Sequence, residues 1–237
     1  MDNAGYAALT RQSGLMNEMR LIANNIANTS TTGYRQEGII FSEYVADIGE
    51  APSLSMATGR VKMTSQSQGA LTQTGNPFDL AIEGDGYFQI ETTEGLRLTR
   101  AGHFTPNAEG DLVTPDGHRV LDAGGAPVFV PTDLGTVGIA ADGTVSAGGT
   151  PLAQIGVVQP SDPTALMREQ GTLFVPEGEV LPVENGRILQ GFLEESNVSP
   201  VLQISRMIEV QRAYELGQSF LENEDERMRS VFRLLGR

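Results

Sequence analysis

His103 and His118 are the only imidazoles in a chain of 237 residues without cysteine. Structural zinc sites gather imidazoles and thiolates in clusters at short spacings. Two histidines set 15 apart with no thiol beside them make no such cluster, so no metal site is expected. Asp79, Glu83, Asp85 and Glu91 could supply the paired carboxylates of a glycoside hydrolase. Carboxylate pairs arise by chance among 30 acidic residues, however, and a sugar groove is poorly served by 6% aromatics and no tryptophan. Glu83-Gly84-Asp85-Gly86 lacks the acidic spacing and distal glutamate of a calcium loop, and no Gly-Lys-Ser/Thr follows to hold phosphate. It reads as a sharp turn between strands. No Gly-x-Ser-x-Gly elbow is present. The residue types predict no catalytic constellation, no cofactor and no small-molecule substrate.

The elements that carry these residues fall into two kinds. At the C-terminal end, Met207, Val210, Tyr214, Leu221, Met228, Val231 and Leu235 follow an alternating spacing of three and four, interrupted by Gly217 and Glu224. That spacing puts a narrow apolar stripe on one face of a helix, as in a coiled-coil seam. Ser199 is a suitable N-cap and Pro200 a suitable first helical residue. The N-terminal end repeats the pattern with Ala8, Leu15, Met19, Ile22 and Ile26, broken by Gln12. This helix should end near Asn28, because Thr29-Ser30-Thr31-Thr32-Gly33 is turn chemistry. A buried seam residue contributes about 1.5–3 kcal/mol, while ordering every residue of the helix costs about 1–2 kcal/mol. One narrow seam is therefore too little to hold such a helix rigid alone. Pairing the two ends helps, and packing on neighbouring subunits helps more. An ordinary two-helix subdomain of a monomer is the alternative.

Residues 76–192 read as many short strands. Examples are Phe78–Ile82, Tyr87–Ile90, Leu96–Thr99, Val128–Val130, Val137–Ala140, Leu152–Val158 and Leu173–Val175. Asp116-Gly117, Asp142-Gly143, Gly148-Gly149 and Asn185-Gly186 supply tight turns between them. Residues 161–170 read as a short helix or irregular turn. The expected fold is α+β and mainly β: a Gly-rich antiparallel β domain with terminal helices that pair as a coiled-coil-like stem. The expected domains are a terminal helical assembly domain (1–40 and 200–237), an extended connector or hairpin (41–75) and the antiparallel β domain (76–199).

Charge sharpens the division. Residues 1–40 carry three basic and three acidic groups, and residues 200–237 carry six of each, so both ends are neutral. Residues 41–199 carry 7 basic and 21 acidic groups, which is the whole net charge of −14. Neutral ends can pack densely, and an acidic middle suits solvent. Nucleic acid is excluded as a partner, because its binding needs a basic surface. Residues 1–25 lack the apolar core of a cleavable signal peptide, and no run is long enough to be membrane-embedded.

Three segments carry a resemblance. Ala23-Asn24-Asn25-Ile26-Ala27-Asn28 runs into Thr29-Ser30-Thr31-Thr32-Gly33-Tyr34-Arg35. Thr74-Gly75-Asn76-Pro77-Phe78-Asp79-Leu80-Ala81-Ile82-Glu83-Gly84-Asp85-Gly86-Tyr87-Phe88 continues to Thr99-Arg100-Ala101-Gly102-His103-Phe104. Gln190-Gly191-Phe192-Leu193-Glu194-Glu195-Ser196-Asn197-Val198 precedes the C-terminal helix. In order and spacing these resemble the signatures of the bacterial flagellar rod and hook proteins over most of the chain. The opening Met1-Asp2-Asn3-Ala4-Gly5-Tyr6 and the short length resemble the proximal rod branch, with the distal rod branch as the alternative. The resemblance implies a structural subunit exported by the flagellar type III apparatus. Such subunits polymerise with other rod subunits around a channel, helices inward and β domain outward, into a periplasmic drive shaft. The seam residues of both helices would then be assembly residues, together with Ser196 and Asn197. Asn24, Asn25 and Asn28 offer amides to backbone groups at a helix end or across subunits. Gly33 would permit the turn out of the helix.

Overall fold

A computed structural model of the chain describes residues 2–46, 54–131, 136–162, 166–183 and 186–235. The chain divides into two compact units. The first comprises residues 1–27, 37–65 and 199–237, and the second residues 28–36 and 66–198.

The first unit contains helix α1 (Asp2–Ala27), strands β1 (Glu37–Ala46) and β2 (Leu54–Thr64), and helix α2 (Pro200–Leu235). β1 and β2 form an antiparallel hairpin with a register shift between Ile40 and Phe41. The two helices run antiparallel. Asn25 meets Gln203, Glu18 meets Arg206, and Gln12 lies over Gly217, so rising numbers on α2 match falling numbers on α1. α2 begins at Pro200, as its fixed φ favours, and the Ser199 carbonyl accepts the first helical hydrogen bond from Gln203 N–H at 3.1 Å.

The second unit is antiparallel β. Strands β3 (Leu71–Gln73) and β4 (Leu80–Glu83) pair with late strands, Phe192–Glu194 and Arg187–Gln190 respectively. The early and late ends of the unit are thereby closed on each other. Its largest sheet is built around β5 (Tyr87–Thr92) and β6 (Gly95–Thr99), which make a tight hairpin. β6 pairs onward to Leu173–Pro176, and β5 to Arg119–Val120 and Val157–Pro160. The segment expected to be a helix or irregular turn is strand from Leu166 to Gln170, paired with Leu173–Pro176 around Gly171. Residues 163–165 lie outside the described residues. Strand conformation wins there because Leu166 packs in the core with Phe174 and Arg168 lies over the Tyr34 and Phe174 rings, while Met167, Glu169 and Gln170 are exposed. The expected strand Leu152–Val158 is broken into two, Thr150–Gln154 and Val157–Pro160.

The core of this unit is apolar and closed. Leu80, Ile82, Phe88, Ile90, Phe104 and Ile188 are among its buried members. Phe88 and Phe104 meet edge to face at 5.3 Å. Gly102 makes this packing possible: a Cβ there would lie 1.6 Å from the Leu80 carbonyl oxygen.

Candidate functional site

The helix pair of the first unit gathers many of the seam residues. Leu15, Ile22 and Val210 are buried together, with Met19, Ile26, Met207, Ala213 and Tyr214 packed on them. Polar pairs punctuate this seam. Buried Asn25 accepts the Glu37 N–H at Oδ1 (3.0 Å) and donates from Nδ2 to the Glu37 carbonyl (2.8 Å) and to Gln203 Oε1 (3.3 Å). Glu18 accepts from Arg206 Nε at 2.7 Å, and that bond raises the arginine's pKa. Such pairs cost burial energy but tolerate only one register, because a one-turn slip would leave buried amides unmet.

Further along α2 the facing side chains of α1, residues 1–7, lie outside the described residues. Contact sums on the two helices are near 228 (25 with 203, 12 with 217), so Asp2 stands opposite about residue 226. Met228 and Val231 therefore fall beyond the described part of α1, as does Leu235, whose side chain lies outside the described residues. Leu221 and Met228 are half-buried and Val231 is exposed. They do not join the cluster around Val210.

α2 carries further apolar side chains that the seam does not use. Val201, Ile204 and Ile208 recur at a spacing of three and four and are exposed. Leu216 and Phe220, four apart, are exposed as well, at 73% and 47%. Sequence reasoning found the first stripe by its period and passed over this one, although its spacing was just as readable. Leu9 and Met16 of α1 are also exposed. They line a hollow of about 350 Å³ with Gln12, Ser13, Asn17, Arg20 and Tyr214.

The other expected assembly residues divide. Asn24 is exposed on α1, whereas Asn28 accepts from Thr31 Oγ1 at 3.1 Å within the second unit. Gly33 has φ +69°, and a Cβ there would lie 2.3 Å from Ala101 N. Glycine is required at this position for both reasons. Asn197 Oδ1 accepts the Gln36 N–H at 2.6 Å, and Ser196 Oγ accepts the Val198 N–H at 3.3 Å. Beside them lie two arginines that the sequence reading did not single out for a role. Arg35 and Arg100 both pair with Glu194, at 2.9 and 3.1 Å, with all three side chains buried. Burial pushes the Arg100 guanidinium below its ordinary pKa, and Glu194 pulls it back. Both ends of the Arg35–Glu194 pair sit inside the motifs quoted above, and that was the available signal.

Of the candidate catalytic carboxylates, Asp79, Glu83 and Glu91 each pair with a different cationic or imidazole side chain, and Asp85 is exposed. Asp79 is buried and already satisfied: Oδ1 meets His103 Nδ1 at 2.7 Å and Asn76 Nδ2 at 3.0 Å, and Oδ2 meets Thr74 Oγ1 at 2.6 Å. It knots the turn before β4 to the Gly102–His103 segment. Glu83 pairs with Arg187 at the surface and Glu91 with Arg119. Among the described residues, no three histidine, cysteine or acidic groups stand close enough to hold a metal. His103 and His118 line one cleft of about 520 Å³ with Thr31, Thr99, Thr114 and Thr172. Neither phenylalanine nor tyrosine is among its lining residues.

Known proteins match this chain along its length. The family described as flagella basal body rod protein matches residues 6–35. The flagellar hook protein FlgE/F/G D1 domain matches 81–147, and the flagellar basal body rod FlgEFG protein C-terminal matches 189–234. The flagellar basal-body rod protein FlgF of Caulobacter vibrioides is 40% identical over 100% of this chain and 99% of its own. The FlgF of Mesorhizobium japonicum is 39% identical over 91% and 90% of the two chains. The flagellar basal-body rod protein FlgG of Bacillus subtilis is 31% identical over 97% of each.

Proposed function

The chain belongs to the flagellar basal-body rod protein family and is a structural component of the basal body, and we propose that it serves as a subunit of the proximal rod. In this reading it is not an enzyme. It is exported by the flagellar type III apparatus and polymerises with copies of itself, other proximal rod proteins and the distal rod protein. α1 and α2 form a coiled-coil-like stem whose seam residues and polar pairs set its register. The shaft so built passes torque outward toward the hook.

One observation carries the assembly reading: α2 bears two sets of apolar side chains, and α1 covers one of them. A helix with an exposed row such as Val201, Ile204 and Ile208 leaves burial energy unclaimed, and neighbouring subunits would recover it. No helix among the described residues is long and apolar enough to cross a membrane. The neutral ends and acidic middle support the same division of labour.

The experiment is complementation. The gene, placed in Caulobacter vibrioides lacking its own FlgF, should restore swimming. A version with Val210 and Leu221 both changed to Asp should not, while its β unit stays folded by circular dichroism. Normal swimming with the double variant would remove the helix pair from assembly. A distal-rod role is the second reading, favoured by the full-length match to the Bacillus subtilis protein. Rescue of a strain lacking FlgG instead of one lacking FlgF would establish it.

A further inference from the structure

The chain crosses between its two units after residues 27, 36, 65 and 198. On the β unit these crossings bound residues 28–36 and 66–198, and the stretches 33–36, 66–70 and 194–198 lie next to the last three of them. Each is bonded to both of the others. Arg35 donates to the carbonyls of Gln66 and Ser67, which joins the first segment to the second. Gly33 N–H donates to the Glu194 carbonyl at 2.7 Å, and Asn197 N–H to the Tyr34 carbonyl at 3.2 Å, which joins the first to the third. Gly69 N–H donates to Glu194 Oε1 at 3.0 Å, Asn197 Nδ2 to the Ser67 carbonyl at 2.7 Å, and Glu195 N–H to the Ala70 carbonyl at 2.8 Å. These bonds join the second to the third.

Two side chains close the triangle. Glu194 spends one oxygen on Arg35 and Gly69 and the other on Arg100, which in turn donates to the Ile82 and Gly84 carbonyls of the sheet. Asn197 spends its amide on Gln36 and Ser67. A buried ion pair adds little net stability over an apolar filling of the same volume, but it accepts only a narrow geometry. Directional bonds between segments as far apart in sequence as Gln36 and Asn197, 161 residues, fix where the chain leaves and returns.

We propose that Glu194 and Asn197 form a clasp that makes the crossings of the chain on the β unit one cooperative element. A pull on any of them is then shared by all and passed through Arg100 into the sheet. Strands joined only in series would peel one at a time from the pulled end. Segments cross-linked through one carboxylate must open together. The mechanical part rests on the rod reading above; the cooperative part does not.

Amide exchange on the purified full chain tests the cooperative part. Gly33, Gln36, Gly69, Glu195 and Asn197 should exchange with one common protection factor once intrinsic rates are divided out. Asn197→Ala should speed all five together by about tenfold or more, as loss of a shared opening barrier requires, with Phe88 and Ile90 unchanged. Glu194→Ala should act the same way and more strongly, and Glu194→Gln, which keeps the shape and the acceptor, should lie between. If Asn197→Ala frees only Gln36 and its own segment, the clasp is overturned. Swimming in media of rising viscosity tests the mechanical part. With swimming speed normalised to each strain's own speed in dilute buffer, Asn197→Ala should stall at a load the parent sustains. Equal stalling loads would overturn force sharing while leaving the exchange result standing. Failure of the unmodified gene to restore swimming would fault the rod reading, and the exchange test would still decide the clasp.

Discussion

The two units solve the same problem, burying apolar surface, with opposite degrees of completeness. In the β unit, Leu80, Ala81, Ile82, Phe88, Ile90 and Phe104 show no exposed area at all. In the helical unit Val210 is sealed, yet Val201, Leu202 and Leu216 on the same helix are each about two-thirds exposed or more. A sheet closed on its own late strands seals a core and leaves Phe129, Leu152, Met167 and Leu181 as its large exposed apolar side chains among the described residues, while a helix in a two-helix pair has one side covered and the rest open. The difference teaches that one unit seals a core with its own strands, and the other leaves apolar side chains that its own helix pair does not cover.

The comparison can be broken most directly in the β core. Phe88→Ala should cost about 3–5 kcal/mol, the range for a fully buried aromatic. Chemical denaturation followed by near-ultraviolet circular dichroism would read this, and a loss under 1 kcal/mol would refute the claim of a sealed core. Val210→Asp should come next, destabilising the helix pair by about 3 kcal/mol or more through a charge placed in an apolar seam. The far-ultraviolet helical signal should fall, while the Phe88 environment is unchanged. A parallel loss in both units would show that they are not independently finished.

Asn25→Ala should be smaller, about 1–3 kcal/mol, because it leaves the Glu37 backbone groups without their amide partner. Thermal melting of the helical signal measures it. Ile204→Ser with Phe220→Ser should change the stability of the free subunit by less than about 0.5 kcal/mol, since both side chains are exposed there. The same double change should stop incorporation into basal bodies. Incorporation at the parental level would mean that this exposed row is not where neighbours dock.

The smallest effect is alkaline. Burial pushes the Tyr87 hydroxyl above its ordinary value of 10.0, against the pull of Arg35 and Arg100. The folded state therefore holds the phenolic proton more tightly than the unfolded chain does. Its contribution is complete below the ordinary value and is lost as pH rises from there through the raised one. Unfolding titrations should show β-unit stability falling above about pH 10, and Tyr87→Phe should flatten that fall.

Much of this was readable beforehand, for identifiable reasons. The spacing from Met207 to Tyr214 and the Ser199-Pro200 pair gave the helix and its start, because helix period and proline geometry are local. Apolar clusters flanked by Gly turns marked the strands near residues 80, 88 and 97 for the same reason. Leu166–Gln170 escaped because its polar residues mask a strand whose partner, across Gly171, supplies the apolar contacts. The Glu194 cluster escaped because in a sequence a buried ion pair looks like two surface charges. Only distance in space, which no period encodes, brings Arg35 and Arg100 to one carboxylate. The second apolar row of α2 was legible in spacing, but its exposure depends on which face α1 takes.

The position of Gln36 beside the segment of Ser67 gives the hairpin β1–β2 a particular status. The chain departs from the β unit and comes back to it at neighbouring points, with Arg35 bonded to the Gln66 carbonyl at 2.7 Å across the gap. In engineering terms residues 37–65 form an insert whose two points of departure from the β unit lie side by side. A flexible insertion between β1 and β2 would add a closure cost that grows only as the logarithm of its length. An epitope or fluorophore placed between β1 and β2 would thus travel with the subunit while the β core and its closing strands keep their register.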